Sequence, residues 1–353
     1  MRVLGIESSC DECAAAVVED GRKVLSNVVA TQIPFHAAYN GVVPEIASRK
    51  HTEWIYTVVK EALDTAGLEP GDIDAVAVTN RPGLLGSLLV GLSFAKAFAW
   101  ARSIPLIAVD HMLAHLYAPR LTADYPPEYP FLGLLVSGGH TIICRADNFD
   151  NITVLGTTID DAVGEAFDKV AKYYRFGYPG GPVIDQMAQS GDSEAFRFPL
   201  PSLHKGEHRH DVSYSGLKTA VINQLELFAC KRRTGEGETS SDSAVPPWTT
   251  AHDIAASFQK TAVDILLRAL FNAARDTGLS VIVAGGGVAA NSYLRARLAE
   301  RKDLHCVFPP PELCGDNGAM VAGIAYHYLV RGEHSPLSVT PSARVTGFKK
   351  KYP

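Results

Sequence analysis

The 353-residue sequence predicts an α/β protein of two lobes, each laid out in the order βββαβα and facing the other across a cleft. Short β-branched runs alternate with long amphipathic segments. The alternation starts twice, each time on three consecutive strands. A hydrophobic content of 46% over this length is enough to bury more than one core. No residue identity relates the halves, so the repeat is one of element order.

In the first half, residues 3–8, 13–19 and 24–30 read as strands joined by tight turns, an antiparallel meander. A helix follows over 44–66, opened by Pro44 and closed by Gly67. Strand 75–79, helix 86–102, strand 105–109 and a helix from His111 complete the unit. The second half repeats the order with strands 131–136, 141–145 and 153–157 and helix 161–174. Helix 251–277, strand 281–284, helix 291–301, strand 304–308 and helix 317–330 finish it. Between these lies an irregular excursion, 176–250, rich in Gly, Pro, His and Ser, whose 235–243 segment is expected to be disordered. The expected lobes are 1–118 and 119–324, with 325–353 packing back on the first.

The longest apolar candidate, 86–100, is broken by Lys96, and Asp11 and Glu12 interrupt the N-terminus too early for a signal peptide. A cytoplasmic protein without membrane contact is expected. Six scattered cysteines fit a reducing compartment, and the lone Cys10-x-x-Cys13 pair is weak evidence for zinc or redox chemistry. A net charge of −5 excludes indiscriminate nucleic-acid binding, so any RNA contact must be local. The candidate contacts are His204–Lys205 with His208–Arg209–His210, the nearby Lys218, Lys231–Arg232–Arg233 and Lys349–Lys350–Lys351; solvated loops are the plainer reading of each.

The sharpest chemical signal is His111-Met112-Leu113-Ala114-His115, at the end of a strand. Histidines four apart share a helix face and can hold one metal ion; the alternative is two unrelated histidines. Met112 stands where a zincin protease needs Glu, which disfavours metalloprotease chemistry. Asp316, between Gly315 and Asn317, is the best third ligand, with a plain helix cap as the alternative. Two His and one carboxylate match either a non-haem iron(II) site or a catalytic zinc site.

Three turns suit phosphate or nucleotide binding: Ser8-Ser9-Cys10-Asp11, its counterpart Ser137-Gly138-Gly139-His140-Thr141, and Gly285-Gly286-Gly287-Val288-Ala289-Ala290-Asn291. The third follows a buried strand, and no acid ends the next strand, so it reads as an adenosine pocket in preference to a dinucleotide fingerprint. Asp161, Glu165 and Asp168 fall on one helix face, and a helix from Gly180-Gly181-Pro182 carries Asp185; either acidic group can accept from a ribose or simply face solvent.

With these pieces assembled, the chain resembles the TsaD family, once called glycoproteases, over nearly its whole length. The resemblance is carried by GIESSCDE from Gly5, Lys96 leading into HMLAHL from His111, LVSGGHT from Leu135, and GEAFDKVAK from Gly164. YPGGPVID from Tyr178, SYSGLKT from Ser213, GGGVAAN from Gly285 and CGDNGAM from Cys314 complete it, in order. It implies the actin-like ATPase (ASKHA) fold around a nucleotide cleft. The implied activity moves threonylcarbamoyl from threonylcarbamoyl-AMP to N6 of the adenosine next to the anticodon, in tRNAs reading codons that begin with A. By that resemblance His111, His115 and Asp316 hold one divalent metal, iron(II) being expected and zinc the alternative. Leu135, Val136, Ser137, Gly138 and Gly139, with Asp168, Gly181, Asp185 and Asn291, hold the adenylate; ATP or ADP fits the same cleft. Asp11 and Glu12 lie at the reacting end, one of them as base. The implied partners are tRNA, TsaB as a heterodimer, TsaE, and a TsaC-type enzyme that makes the adenylate. Two features depart from the pattern. Archaeal and eukaryotic relatives have a tyrosine near the metal where Leu135 stands, and the 235–243 insertion is not recognised as part of the family pattern. The rival readings are a nucleotide-driven actin-like ATPase or kinase and, less favoured, a metalloprotease.

Overall fold

The computed structural model describes residues 1–39, 41–122, 126–203, 206–233 and 248–344. Its first sheet, ordered β3-β2-β1-β4-β5, is built from β1 (Arg2–Glu7), β2 (Glu12–Glu19), β3 (Lys23–Thr31), β4 (Ala75–Arg81) and β5 (Leu106–Asp110). The first three strands form the expected antiparallel meander, and β4 and β5 run parallel to β1. The second sheet, β10-β9-β6-β7-β8, repeats this with β6 (Phe131–Val136), β7 (Thr141–Ala146), β8 (Ile152–Thr157), β9 (Val281–Gly285) and β10 (His305–Val307). β1, β2, β4 and β6 are buried almost end to end, which is why they read as continuous apolar runs.

On the outside of the first sheet lie α2 (Pro44–Ala66) and α3 (Leu85–Arg102), after a short α1 (Ile33–Ala37). α2 starts with Pro44 in its first turn and stops where Gly67 turns left-handed at φ 67°. The second sheet is covered by α5 (Val163–Tyr174), α6 (Gly180–Ala188), α7 (Ser215–Arg233), α8 (Trp248–Thr277) and α9 (Ser292–Ala299).

Between the sheets the lobes exchange helices. α4 (His111–Thr122) leaves β5 of the first sheet and packs on β6 and β9 of the second, whereas α10 (Gly318–Val330) follows the second sheet and packs on β1 and β2 of the first. The two touch, and a single buried cluster runs from Val3 and Ala16 through Leu113, Leu116 and Tyr117 to Leu135 and Ile324. The approach of α10 is close enough to require glycine: a Cβ on Gly5 would stand 2.3 Å from the Gly318 carbonyl oxygen. The chain after α10 returns along the first lobe, where Ser335 N donates to Leu106 O at 2.7 Å and Ser342 N to Asn80 O at 2.9 Å.

Two expectations need correction. The excursion 176–250 contains two helices, α6, which the reading of Gly180 onward foresaw, and α7, which it did not. α7 buries Leu217 and Val221, one helical turn apart, but that short signal sits inside a Gly-, Pro- and Ser-rich stretch whose composition reads as loop. α1 was also unforeseen. The 235–243 segment lies outside the described residues. Among the described residues, no helix is long and apolar enough to cross a membrane.

Candidate functional site

α4 begins at His111 because the preceding Asp110, itself buried, accepts from Met112 N at 3.0 Å and so acts as the cap. His111 and His115 then fall on one face, four residues apart. Their Nε2 atoms lie 3.1 Å from each other, and Asp316 Oδ1 lies 3.0 Å from His115 Nε2 and 3.5 Å from His111 Nε2. Asp316 is free to do this because the cap of α10 is its neighbour Asn317, whose Oδ1 accepts from Met320 N at 2.9 Å. The plain-cap reading of Asp316 is thereby answered.

Three ligand atoms within 4.8 Å of one another fit a dication. With metal–ligand bonds of about 2.1 Å, one ion can reach all three. Two imidazole nitrogens pointed at each other can share only one proton, so the arrangement gathers lone pairs that a cation satisfies better. Both histidines are buried, His111 at 8% and His115 at 1% exposure. Their rigidity comes from packing of α4 between the sheets.

Behind His111 stands Glu7, fully buried at the end of β1. Its carboxylate takes Ser9 N at 2.6 Å, Thr79 Oγ1 at 2.5 Å and His111 Nδ1 at 3.0 Å. That bond fixes the ring so that Nε2 faces His115 and Asp316. Burial opposes charge on His111, but Asp316 and Glu7 outweigh it and hold the imidazolium up to about 9, while the histidines hold Asp316 down to about 2 against its own burial. His140, from the Gly138–Gly139 turn, is pushed down to about 4 by burial and by His111 and His115, and stays neutral.

These shifts set a pH dependence. The raised His111 pKa stabilises the metal-free fold fully below 6.5, and that stabilisation is lost as pH rises through about 9. Metal must displace the same proton. Metal affinity, measured by chelator competition, is therefore expected to climb up to about tenfold per pH unit until about pH 9 and then level off.

Across the cleft, Ser137 N and His140 O close the Gly138–Gly139 turn at 2.8 Å, leaving both glycines exposed. A Cβ on Gly138, Gly139 or Gly181 would meet nothing within 4 Å, so these backbones present open faces. Leu135 and Val136 are buried in β6 and lead into that turn. Gly286 is different. It sits at φ 93°, and a Cβ there would stand 2.4 Å from Val136 O. Gly286→Ala is expected to destabilise the protein by about 2 kcal/mol or more, read as a lowered midpoint in denaturant unfolding.

The carboxylates do not form the expected stripe. Asp161 precedes α5 and is gripped by Lys169 and Lys218 at 2.6 and 2.8 Å. Glu165 receives Ala162 N at the helix start and pairs with Lys169. Asp168 accepts from Gly180 N at 2.7 Å, Asp185 takes Ser292 N and Oγ, and Asn291 caps α9 through Leu294 N while donating to Gln259. Asp168, Asp185 and Asn291 thus brace the starts of α6 and α9. Asp11 acts from the first lobe on the second: after burial, it is the largest influence raising Tyr178, and it helps raise Asp168. Burial, then Asp316 and Asp11, push Glu12 up to about 10.

Sequence reading passed over Glu7, His140 and Tyr178 as functional residues. All three lay within quoted motifs, Glu7 in the one that starts at Gly5, but its place behind His111 depends on the pairing of distant strands. The basic stretch fares less well. His208 meets Asp211, Arg209 and His210 both meet Asp276, and Lys218 meets Asp161, so most of its charge is locally neutralised. Lys205 and Lys349–Lys351 lie outside the described residues. Cys10 and Cys13 are unbridged.

Comparison with solved structures gives distant likenesses that show the fold. T. kodakarensis HypF matches with a TM-score of 0.59 at 14% identity, over 94% of this chain and 48% of its own. Component A of the Acidaminococcus fermentans (R)-2-hydroxyglutaryl-CoA dehydratase matches with a TM-score of 0.54 at 15% identity, over 94% and 99%. The two-lobed architecture is that of the actin-like ATPases. Sequence relatives are far nearer. A Treponema denticola protein named tRNA N6-adenosine threonylcarbamoyltransferase is 63% identical over 99% of both chains. Proteins of the same name from Treponema pallidum and Borreliella burgdorferi are 55% and 48% identical, covering 99% and 100% of this chain and 95% and 96% of their own. The family model for TsaD, tRNA N6-adenosine threonylcarbamoyltransferase, matches residues 23–323. With its motifs, its fold and full-length relatives in agreement, the chain belongs to the TsaD family of tRNA N6-adenosine threonylcarbamoyltransferases.

Proposed function

We propose that the chain transfers threonylcarbamoyl from threonylcarbamoyl-AMP to N6 of the adenosine next to the anticodon in tRNAs reading A-initial codons, releasing AMP. The observation that carries this reading is the His111–His115–Asp316 cluster, which lies within electrostatic reach of His140 of the glycine turn and of Glu12 beside Asp11.

An exocyclic adenine amine is a weak nucleophile, so the carbamoyl carbon needs a good leaving group and a fixed approach. The open backbone at Gly138, Gly139 and Gly181 seats the adenylate, with the turn of Gly285–Asn291 on its adenosine side; this supplies proximity and orientation. Asp168, Asp185 and Asn291 brace that seat. His111, His115 and Asp316 would hold a divalent ion, iron(II) by this reading and zinc as the alternative, which when bound would supply Lewis acidity toward a carbonyl or phosphate oxygen. As the N6–carbon bond forms and the carbon–oxygen bond to phosphate breaks, the amine proton passes to Asp11. Glu12 is the poorer acceptor, because burial and then the neighbouring Asp316 and Asp11 carboxylates keep it protonated. Leu135 offers no ligand atom, so His111, His115 and Asp316 would be the residues of this chain that hold the ion.

The reading places the protein in the cytoplasm with tRNA, TsaB and TsaE as partners and a TsaC-type enzyme supplying the adenylate. Exposed Leu85, Leu89 and Trp100 on α3 and Tyr56 on α2 leave apolar surface on the first lobe that a protein partner such as TsaB can cover. With Arg209 and Lys218 already paired, we assign most of the tRNA surface to the assembled complex. The test against the ATPase or kinase reading is turnover: ATP hydrolysis without tRNA should stay far below the rate of AMP release in the complete transfer reaction. Rapid tRNA-independent ATP turnover surviving His111→Ala would overturn the proposal.

A further inference from the structure

The turn on the adenosine side and the loop that delivers Asp316 come from different parts of the chain, yet one side chain ties them together. Arg295 stands one helical turn into α9, whose cap, Asn291, ends the Gly285–Asn291 turn. Its Nε donates to Ala289 O within that turn at 2.7 Å. Its Nη2 donates to Pro309 O at 2.8 Å and to Cys314 Sγ at 3.2 Å, and its guanidinium lies over the Phe308 ring, 4.7 Å from the centroid. Cys314 is buried two residues before Asp316, and Asn317 Nδ2 closes the segment by donating to Leu313 O at 3.3 Å and Gly315 O at 2.8 Å. These bonds tie Leu313, Gly315 and Asn317 to one another on either side of Asp316. The turn's other side-chain bonds lead away, from Asn291 to Gln259 on α8 and from Ser292 to Asp185 on α6. Among the described residues, the hydrogen bonds from the turn and its helix to the Asp316 loop all pass through Arg295.

We propose that Arg295 is a positioning residue that couples the two halves of the site, so that filling the adenosine side sets Asp316 against the histidine pair and metal binding in turn orders the adenosine turn. The proposal rests on the reading of the site given above. Its physical basis is the planar guanidinium, which holds carbonyls of both loops at fixed directions at once; a lysine ammonium is a single mobile point and cannot. Coupling of this kind is reciprocal, each ligand tightening the other by one common factor.

The experiment uses the full chain, Zn(II) as the metal probe and adenosine as the nucleoside probe, since adenosine has no phosphate with which to touch the ion. Zinc affinity is measured by chelator competition with and without saturating adenosine, and adenosine affinity with and without zinc. In the wild type each should tighten the other by the same factor, about fivefold or more. In Arg295→Lys each ligand alone should bind within about twofold of wild type, with the mutual factor reduced to about one. Phe308→Leu, which keeps the hydrogen bonds and removes the stacking face, should give an intermediate factor, and it decides the matter if circular dichroism shows Arg295→Lys to be unfolded. A wild-type factor retained in the folded Arg295→Lys protein, or in Phe308→Leu where Arg295→Lys is unfolded, overturns the coupling. If the wild type binds both ligands without mutual effect, the coupling alone fails. If it binds neither, the reading of the site fails and takes the coupling with it.

Discussion

His111→Ala and His115→Ala are each expected to lose the metal and to lower transfer at least about a thousandfold, the several kcal/mol that a Lewis-acid metal contributes. Either change removes one of three ligand atoms held 3.0–3.5 Å apart. Because both rings are buried, the fold also pays a cost, and the two variants should differ in it. His111→Ala leaves the buried Glu7 carboxylate without its imidazole partner, adding about 1–3 kcal/mol of destabilisation. His115→Ala takes the 3.0 Å partner from Asp316, but that carboxylate keeps His111 at 3.5 Å and is partly exposed, so the added cost is smaller; the Nδ1 of His115 is without a hydrogen-bond partner among the described residues. Elemental analysis of the purified variants and their melting curves check both statements. Full metal occupancy in either variant would remove that histidine from the site.

Asp316→Asn is expected to weaken metal binding by about ten- to a hundredfold and to lower turnover comparably, since a neutral amide oxygen replaces a carboxylate in a dication's ligand set. Asn would be nearly silent if position 316 served only as a helix cap, because it caps about as well as Asp. The cap is Asn317. An unchanged metal affinity in Asp316→Asn would therefore mean that the carboxylate faces the histidines without serving the metal.

Much of the fold was legible because its boundaries are written locally. Pro44 and Gly67 bracket α2 by backbone chemistry alone, and β6 is an unbroken apolar run ended by a Ser-Gly-Gly turn. The helix exchange between the lobes is nonlocal. Nothing in the sequence of α4 says that it packs against strands some 20 to 170 residues downstream, and only that placement explains why a helix bearing two ligand histidines is buried almost all round. The same distinction divides the site. His111 and His115 announce themselves by spacing, whereas Glu7 becomes a partner of His111 only once β1 and β5 share a sheet. Acidic spacing misled because Asp161 lies outside α5, where side-chain ion pairs with Lys169 and Lys218 override the helical pattern. α7 was hidden by the composition of its surroundings.

The most direct test is the transfer itself. The chain, with the proposed partner subunits and a divalent metal added, is incubated with synthetic threonylcarbamoyl-AMP and an unmodified tRNA that reads an A-initial codon, and the tRNA is then digested to nucleosides for mass spectrometry. The account predicts threonylcarbamoyl on N6 of the adenosine next to the anticodon, one AMP released per modified nucleoside, and loss of both products with His111→Ala. AMP release with no modified adenosine, or modification undiminished by His111→Ala, would contradict it.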